Sequence, residues 1–290
     1  MHPLIVLMRL LAPLPLWAVR ALGWLSGRLL YRLARRRRQV VEVNLGLCFP
    51  HWTAQQRRQA ARQHMVYFMQ ALLDRAWLWH GSRAQLERRL RIRGDVGPLR
   101  EPGGVVVLAP HFVGMDAGGI ALTVLQDLPM SSIYVPQRNR QLDAWVRQGR
   151  SRSGHSRLYF RHEGVKQILA DLRQGGKLYL LPDLDFGPRE SVFAPFFGVP
   201  AATLPSLSRF ARLGRARVLT VVTRLTPQGY EVDVGSVWTD FPGEDVVADA
   251  TRMNQVLEQN ILQMPAQYYW VHKRFKTRPA GQPRVYPPGV

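Results

Sequence analysis

Apolar and polar positions follow two rhythms along this chain. Up to residue 100 the apolar positions recur at helical spacing, and beyond it short runs of strand length take turns with helical stretches. Residues 1–33, MHPLIVLMRLLAPLPLWAVRALGWLSGRLLYRL, are strongly apolar yet interrupted by Arg9, Arg20, Arg28 and Arg32, with Pro13 and Pro15 among them. Proline suits the first turn of a helix, so a helix beginning near Pro15 is predicted. At 100° per residue the four arginines fall within an arc of about 140°, as expected of a helix lying among lipid headgroups or, alternatively, of an amphipathic helix capping the protein's own core. Next comes TAQQRRQAARQHMVYFMQALLDRAWLWH (53–80), with Thr53 and Gln56 at capping-box spacing and Ala61, Met65, Phe68, Met69, Leu72, Ala76 and Trp79 at helical period. A long amphipathic helix is predicted there, its Met-rich and aromatic face serving the core or lining a groove for an acyl chain.

From residue 101 the strand-like runs are 105–109, 132–135, 177–182, 218–223 and 230–237, and the helical stretches 115–126, 141–149, 163–174, 204–213 and 246–263. Alternation of this kind predicts an α/β fold with both sheet faces covered. Gly and Pro clustered over 94–104 mark a seam. The chain is thus divided into residues 1–38, a membrane anchor, and 39–290, a catalytic domain with a helical part (39–100) and an α/β part (101–290).

In α/β sheets, reactive groups gather at the carboxyl ends of strands. The run VVVLAPHFVGMDAGG (105–119) delivers His111 to such an end, with Asp116 five residues on, and KLYLLP (177–182) delivers Asp183 and Asp185 to another. Histidine accepts a proton from a hydroxyl and returns it to a leaving group near neutral pH. It needs a carboxylate on its other ring nitrogen, a role for which Asp116 is the expected partner across a strand-to-helix turn. Gly114, Gly118 and Gly119 are expected to let the backbone turn and approach a ligand. The chain has neither G-x-S-x-G nor S-x-x-K, and its one cysteine, Cys48, lies far from His111 in sequence. Direct transfer to a hydroxyl is therefore favoured over a covalent acyl-enzyme, with no metal and no cofactor required.

Charge narrows the partners. The formal net charge is +20, and residues 1–100 hold 18 arginines against four acids. Such a field attracts nucleic acid or an anionic membrane. The Leu, Trp and Val content of residues 1–33 favours the membrane and disfavours nucleic acid, and Arg35 to Arg38 then mark a cytoplasmic flank. No uninterrupted apolar run reaches the ~20 residues of a typical membrane span.

These residues carry a resemblance. NLGLCFP (44–50), APHFVGMD (109–116), YVPQRNRQLD (134–143), LLPDLDFGPRESVFAPFFGVPAAT (180–203) and QYYWVHKRFKTRP (267–279), in that order, resemble the lipid A late acyltransferases. These are the lauroyl/myristoyl acyltransferases among the glycerophosphate acyltransferase-like enzymes with a His-x4-Asp/Glu motif. The resemblance implies a mixed sheet flanked by helices and one N-terminal membrane-anchoring helix. It also implies transfer of a fatty acyl chain from acyl carrier protein to the hydroxyl of an acyl chain on a lipid A precursor, at the cytoplasmic face of the bacterial inner membrane. Carried over by position, His111 resembles the family's general base and Asp116 its partner, where many members have Glu. Arg150 matches the family's functionally implicated arginine and Asp183 its second acid. Asp185 and Arg189 are further candidates for substrate binding or catalytic support. Val135 and Arg140 depart from the family's pattern beside the acceptor pocket. A lysophospholipid or another polar lipid as acceptor is the alternative these residues allow.

Overall fold

The computed structural model describes residues 2–161 and 164–289. Its centre is a seven-stranded sheet built from β1 (Leu90–Gly94), β2 (Val105–Leu108), β3 (Ser131–Tyr134), β4 (Arg157–Phe160), β5 (Lys177–Leu180), β8 (Arg217–Thr226) and β9 (Gly229–Val237), in the order β1-β9-β8-β2-β5-β3-β4. A separate antiparallel hairpin, β6 (Val192–Phe196) and β7 (Val199–Thr203), lies outside it. The sheet is mixed: β8, β2, β5, β3 and β4 run parallel, β8 and β9 are antiparallel, and β1 runs parallel to β9. An α/β fold with a mixed sheet flanked by helices is what the alternation in sequence predicts. Every residue of β2 is buried, which is why a central parallel strand reads as an unbroken apolar run.

Around the sheet pack α1 (Pro3–Leu11), α2 (Leu16–Leu33), α3 (Arg35–Cys48), α4 (Ala54–His80), α5 (Arg83–Arg89), α6 (Gly97–Arg100), α7 (Met115–Ile120), α8 (Arg140–Arg150), α9 (Val165–Arg173), α10 (Ser206–Gly214) and α11 (Val246–Gln263). The expected helix over 163–174 corresponds to α9; residue 163 itself lies outside the described residues. The capping box is present, Thr53 Oγ1 accepting from the Gln56 amide and Gln56 Oε1 from the Thr53 amide. Near its carboxyl end α4 is buried on several sides, with Leu73, Asp74, Ala76, Trp77 and Leu78 all sequestered. This burial exceeds that of the amphipathic helix expected from spacing, because α1 and α2 cover α4 where it faces away from the sheet.

The N-terminal segment corrects the expectation of a single anchoring helix. It forms two helices, joined by a turn at residues 12–15, and among the described residues no helix is long and apolar enough to cross a membrane. Its helix α2 is fastened lengthwise to α4. A Cβ at Gly23 would meet Gln70 and one at Gly27 would meet the Val66 backbone, both at under 3 Å, so glycine permits the close crossing. Arg20, expected among the headgroup arginines, is instead buried. Its Nη2 lies 3.0 Å from Asp74 Oδ2 and donates to the Gly229 carbonyl. Asp74 also accepts from Trp77 Nε1 at 2.8 Å and Tyr230 Oη at 2.7 Å, tying α2, α4 and β9 into one buried polar knot. Burial pushes the Asp74 carboxyl up from its ordinary range, against the pull of Arg20 and these donors. Asp74→Ala strands a buried guanidinium and is expected to cost about 3–5 kcal/mol of stability. Urea unfolding monitored by tryptophan fluorescence measures it, and a loss under 1 kcal/mol would refute the role given to this knot.

Candidate active site

Two neighbouring strands bring the central residues together. Parallel pairing sets Leu108 of β2 opposite Leu180 of β5, and His111 and Asp183 each follow their strand's paired residue by three positions. Both chains leave the sheet at the same level, and the side chains meet. His111 Nδ1 lies 2.7 Å from Asp183 Oδ1, and the His111 backbone amide donates to Asp183 Oδ2 at 2.9 Å. The Asp183 carboxylate is fully buried. Burial by itself would push it up, but the charge of His111 and the hydrogen bonds from its ring and amide outweigh this and hold it below the ordinary carboxylate range. An ionised carboxylate only accepts, so Nδ1 carries a proton toward it, and whenever the ring is neutral the lone pair is on Nε2. The C-terminal segment holds this loop in place. Tyr269 donates its amide to the His111 carbonyl at 2.9 Å, Val113 donates to the Gln267 carbonyl, and Phe112 bridges to Tyr268.

Asp116 occupies a different position from the one expected. It sits in the first turn of α7 and engages two cations: Arg75 Nε and Nη2, each 2.8 Å from Oδ2, and Arg150 Nε, 2.9 Å from Oδ1. Burial would raise its pKa, yet Arg150 and Arg75 together hold it below the ordinary range. The carboxylate that orients His111 is thus Asp183, and Asp116 joins Arg75 of α4 to Arg150 at the end of α8. The reason is geometric, since Asp116 is carried on a helix whose first turn faces α4 and α8, whereas Asp183 follows the strand beside β2. The glycines also serve a purpose other than ligand approach. A Cβ at Gly114 would strike Thr223 and Tyr230, and one at Gly118 would strike Thr223 Oγ1 and Tyr179 Oη, so both allow α7 to lie against the sheet; a Cβ at Gly119 would meet nothing.

Of the remaining candidates, Asp185 is buried and faces away. Its oxygens accept from the Gly187 amide and from the amide and hydroxyl of Thr277, and its own amide donates to His272 Nε2. Burial, then the positive charge of His111 and Arg274, lowers His272 to about 4, consistent with a neutral ring accepting that bond. Asp185 therefore secures the C-terminal segment that supports His111. Arg189 is exposed and is not among the residues lining the cleft. Arg75 was not foreseen, because its approach to Asp116 spans 41 residues and depends on how α4 packs beside α7.

His111 opens onto a cleft of about 770 Å³ at the carboxyl ends of the parallel strands, which Arg75, Arg150, Met115, Ile133, Leu181 and Tyr269 also line. Met115, Ile133, Arg150 and Leu181 are shared with an adjoining, mainly apolar recess of about 70 Å³ closed by Ile120, Met130, Leu158 and Tyr179. A carboxylate-oriented histidine and two arginines joined through Asp116, at a cleft of mixed apolar and charged lining, mark a candidate active site in an α/β fold.

Comparison with known proteins makes this specific. The family model of bacterial lipid A biosynthesis acyltransferases matches residues 3–277, and the chain belongs to that family. A lipid A biosynthesis acyltransferase of Haemophilus influenzae is 32% identical over 86% of this chain and 79% of its own length. The lipid A biosynthesis palmitoleoyltransferase of Escherichia coli K12 is 32% identical over 91% and 87%. The lauroyltransferase of the same organism is 31% identical over 96% and 91%. Among solved structures, the 1-acyl-sn-glycerophosphate acyltransferase PlsC of Thermotoga maritima matches at a TM-score of 0.40 with 11% identity, over 87% of this chain and 98% of that one.

Proposed function

We propose that this acyltransferase moves a fatty acyl chain from acyl carrier protein to the hydroxyl of an acyl chain on a lipid A precursor, with His111 as general base. The acceptor O–H proton passes to His111 Nε2 as the oxygen attacks the thioester carbonyl. Collapse of the tetrahedral intermediate breaks the C–S bond, and the imidazolium returns the proton to the departing sulfur, leaving an ester and a free thiol. Asp183 stabilises the imidazolium formed on the way. Arg75 and Arg150, held at fixed separation by Asp116, supply positive charge for the developing oxyanion or for a substrate phosphate. The apolar recess takes hydrocarbon. The observation that carries this assignment is the His111–Asp183 pair at the mouth of a long, largely apolar cleft in a chain of this family.

The test is mass spectrometry of lipid A from the bacterium that carries this chain, after deletion of its gene. One secondary acyl chain is expected to disappear, to return with the wild-type gene and to stay absent with His111→Ala. Unchanged lipid A would exclude this acceptor.

The reaction takes place, on this proposal, at the cytoplasmic surface of the inner membrane, which residues 1–33 contact without crossing. Leu10, Trp17, Leu25, Leu29 and Leu33 are more than half exposed on α1 and α2, beside exposed Arg9, Arg32, Arg35 and Arg36. Apolar side chains bordered by arginines suit the interface of an anionic bilayer. Replacing Trp17 and Leu25 together by glutamate is expected to weaken binding to phosphatidylglycerol-containing vesicles by about tenfold or more, and salt should weaken the wild type. Vesicle sedimentation measures both. Binding indifferent to salt and to these substitutions would remove this surface from the proposal.

A further inference from the structure

The cleft has a second charged region, away from His111. On α10, Ser206, Arg209, Phe210 and Leu213 all line it, at the i, i+3, i+4, i+7 spacing of one helical face. Arg209 is exposed, and its guanidinium makes no hydrogen bond or ion pair with any described residue. Arg161, another lining residue, lies over the Phe186 ring at 4.0 Å and pairs loosely with exposed Glu190 at 3.4 Å. An exposed pair of that kind is worth little and gives way readily to a stronger anion.

Arg75 Nε and Nη2 and Arg150 Nε are spent on Asp116, so the inner arginines keep only part of their donors for substrate. The outer ones have donors to spare, and among the described residues lining the cleft Glu190 is the only carboxylate. Beside them Val165, Phe186 and Leu213 line the cleft while remaining 51%, 39% and 49% exposed. A charged cluster set among exposed apolar side chains at the mouth of a cleft matches an amphiphile whose anionic group and hydrocarbon enter together.

We propose that Arg209 and Arg161 form an anion subsite that receives a phosphate of the lipid-carrying substrate, with Val165, Phe186 and Leu213 against its hydrocarbon. The subsite rests on the acyl-transfer assignment for its role, and two substrates offer the chemistry: a phosphomonoester on the acceptor, or the phosphodiester that links the acyl thioester to its carrier. Arg209 is the deciding residue because no structural contact depends on it.

Binding is tested first, with no turnover required, by titrating the full chain with monomeric dodecyl phosphate and with a neutral dodecyl polyoxyethylene ether. Wild type and His111→Ala should bind the phosphate alike. Arg209→Ala should bind it about tenfold or more weakly, Arg209→Lys should lose less, and the neutral ether should bind all four alike. Phosphate affinity within twofold of wild type in both Arg209→Ala and Arg161→Ala would overturn the subsite. Steady-state kinetics of Arg209→Ala then identify the source. A KM that rises for a phosphorylated acceptor, but not after phosphatase treatment, assigns the site to the acceptor. A KM that rises for the carrier-bound thioester, but not for a phosphate-free thioester, assigns it to the donor. Weakened phosphate binding with neither KM changed would sustain the subsite while refuting its part in acyl transfer.

Discussion

His111→Ala is expected to lower the rate of acyl transfer by about 10²–10⁴-fold, the usual contribution of a positioned general base. Its Nδ1 is held by Asp183 while Nε2 makes no hydrogen bond with a described residue, and His111 lines the cleft. The substitution also removes a donor from a buried carboxylate and should lower stability. His111→Gln separates the two effects, since a glutamine amide can still donate toward Asp183 but cannot act as a base. Initial rates with an acyl carrier protein thioester, read alongside thermal melting, provide the measurement. If either variant, folded, transfers acyl groups within a few-fold of wild type, His111 is not the base.

Asp183→Asn is expected to lower the rate by up to about 10⁴-fold while leaving the cleft intact. An asparagine amide can donate to Nδ1, which moves the ring proton to Nε2, where a base must have none. The contrasting variant is Asp116→Asn. Because Asp116 bridges Arg75 and Arg150 and makes no hydrogen bond to His111, its loss should leave the proton-transfer limb of the pH–rate profile in place and alter substrate KM. If Asp116→Asn displaced that limb and Asp183→Asn did not, the two assignments would have to be exchanged. Acid stability gives a second readout of Asp183. Its pKa in the folded chain lies below the ordinary value. Its contribution is therefore fully present above the unfolded value near 3.9 and is lost as pH falls through the lower native value. Asp183→Asn has no such contribution to lose, so its stability should vary less with pH in that window.

The sheet was legible where its strands are central. Three of the buried strands, β2, β5 and β8, show as apolar runs because both of their faces are covered. Strand β1, LRIRG, did not show, since it lies at the sheet edge with arginines turned outward. Strand β4 is likewise an edge strand of four residues, and β6 and β7 each contain a proline, which weakens a strand signal. At the site, His111 and Asp183 were both recognisable as strand-end residues, and Arg150 through its place in a resembling motif. Their partners were not recognisable. The five residues from His111 to Asp116 invited a pairing that the helix carrying Asp116 directs elsewhere, and the segment 1–33 gave no sign that Arg20 would turn inward to Asp74.

By itself, then, the sequence determined the class of fold, the strand-end positions of His111 and Asp183 and the concentration of basic and apolar residues near the N-terminus, because periodicity, strand-end position and composition are local properties of the chain. Only the tertiary structure decided which carboxylate serves His111, which arginines share Asp116, and whether the N-terminal segment stands apart or lies along α4. Each of those contacts spans 34 residues or more. The first is set by the parallel register of β2 with β5 and the others by the packing of α2 on α4 and of α7 beside α4 and α8, which no local pattern encodes.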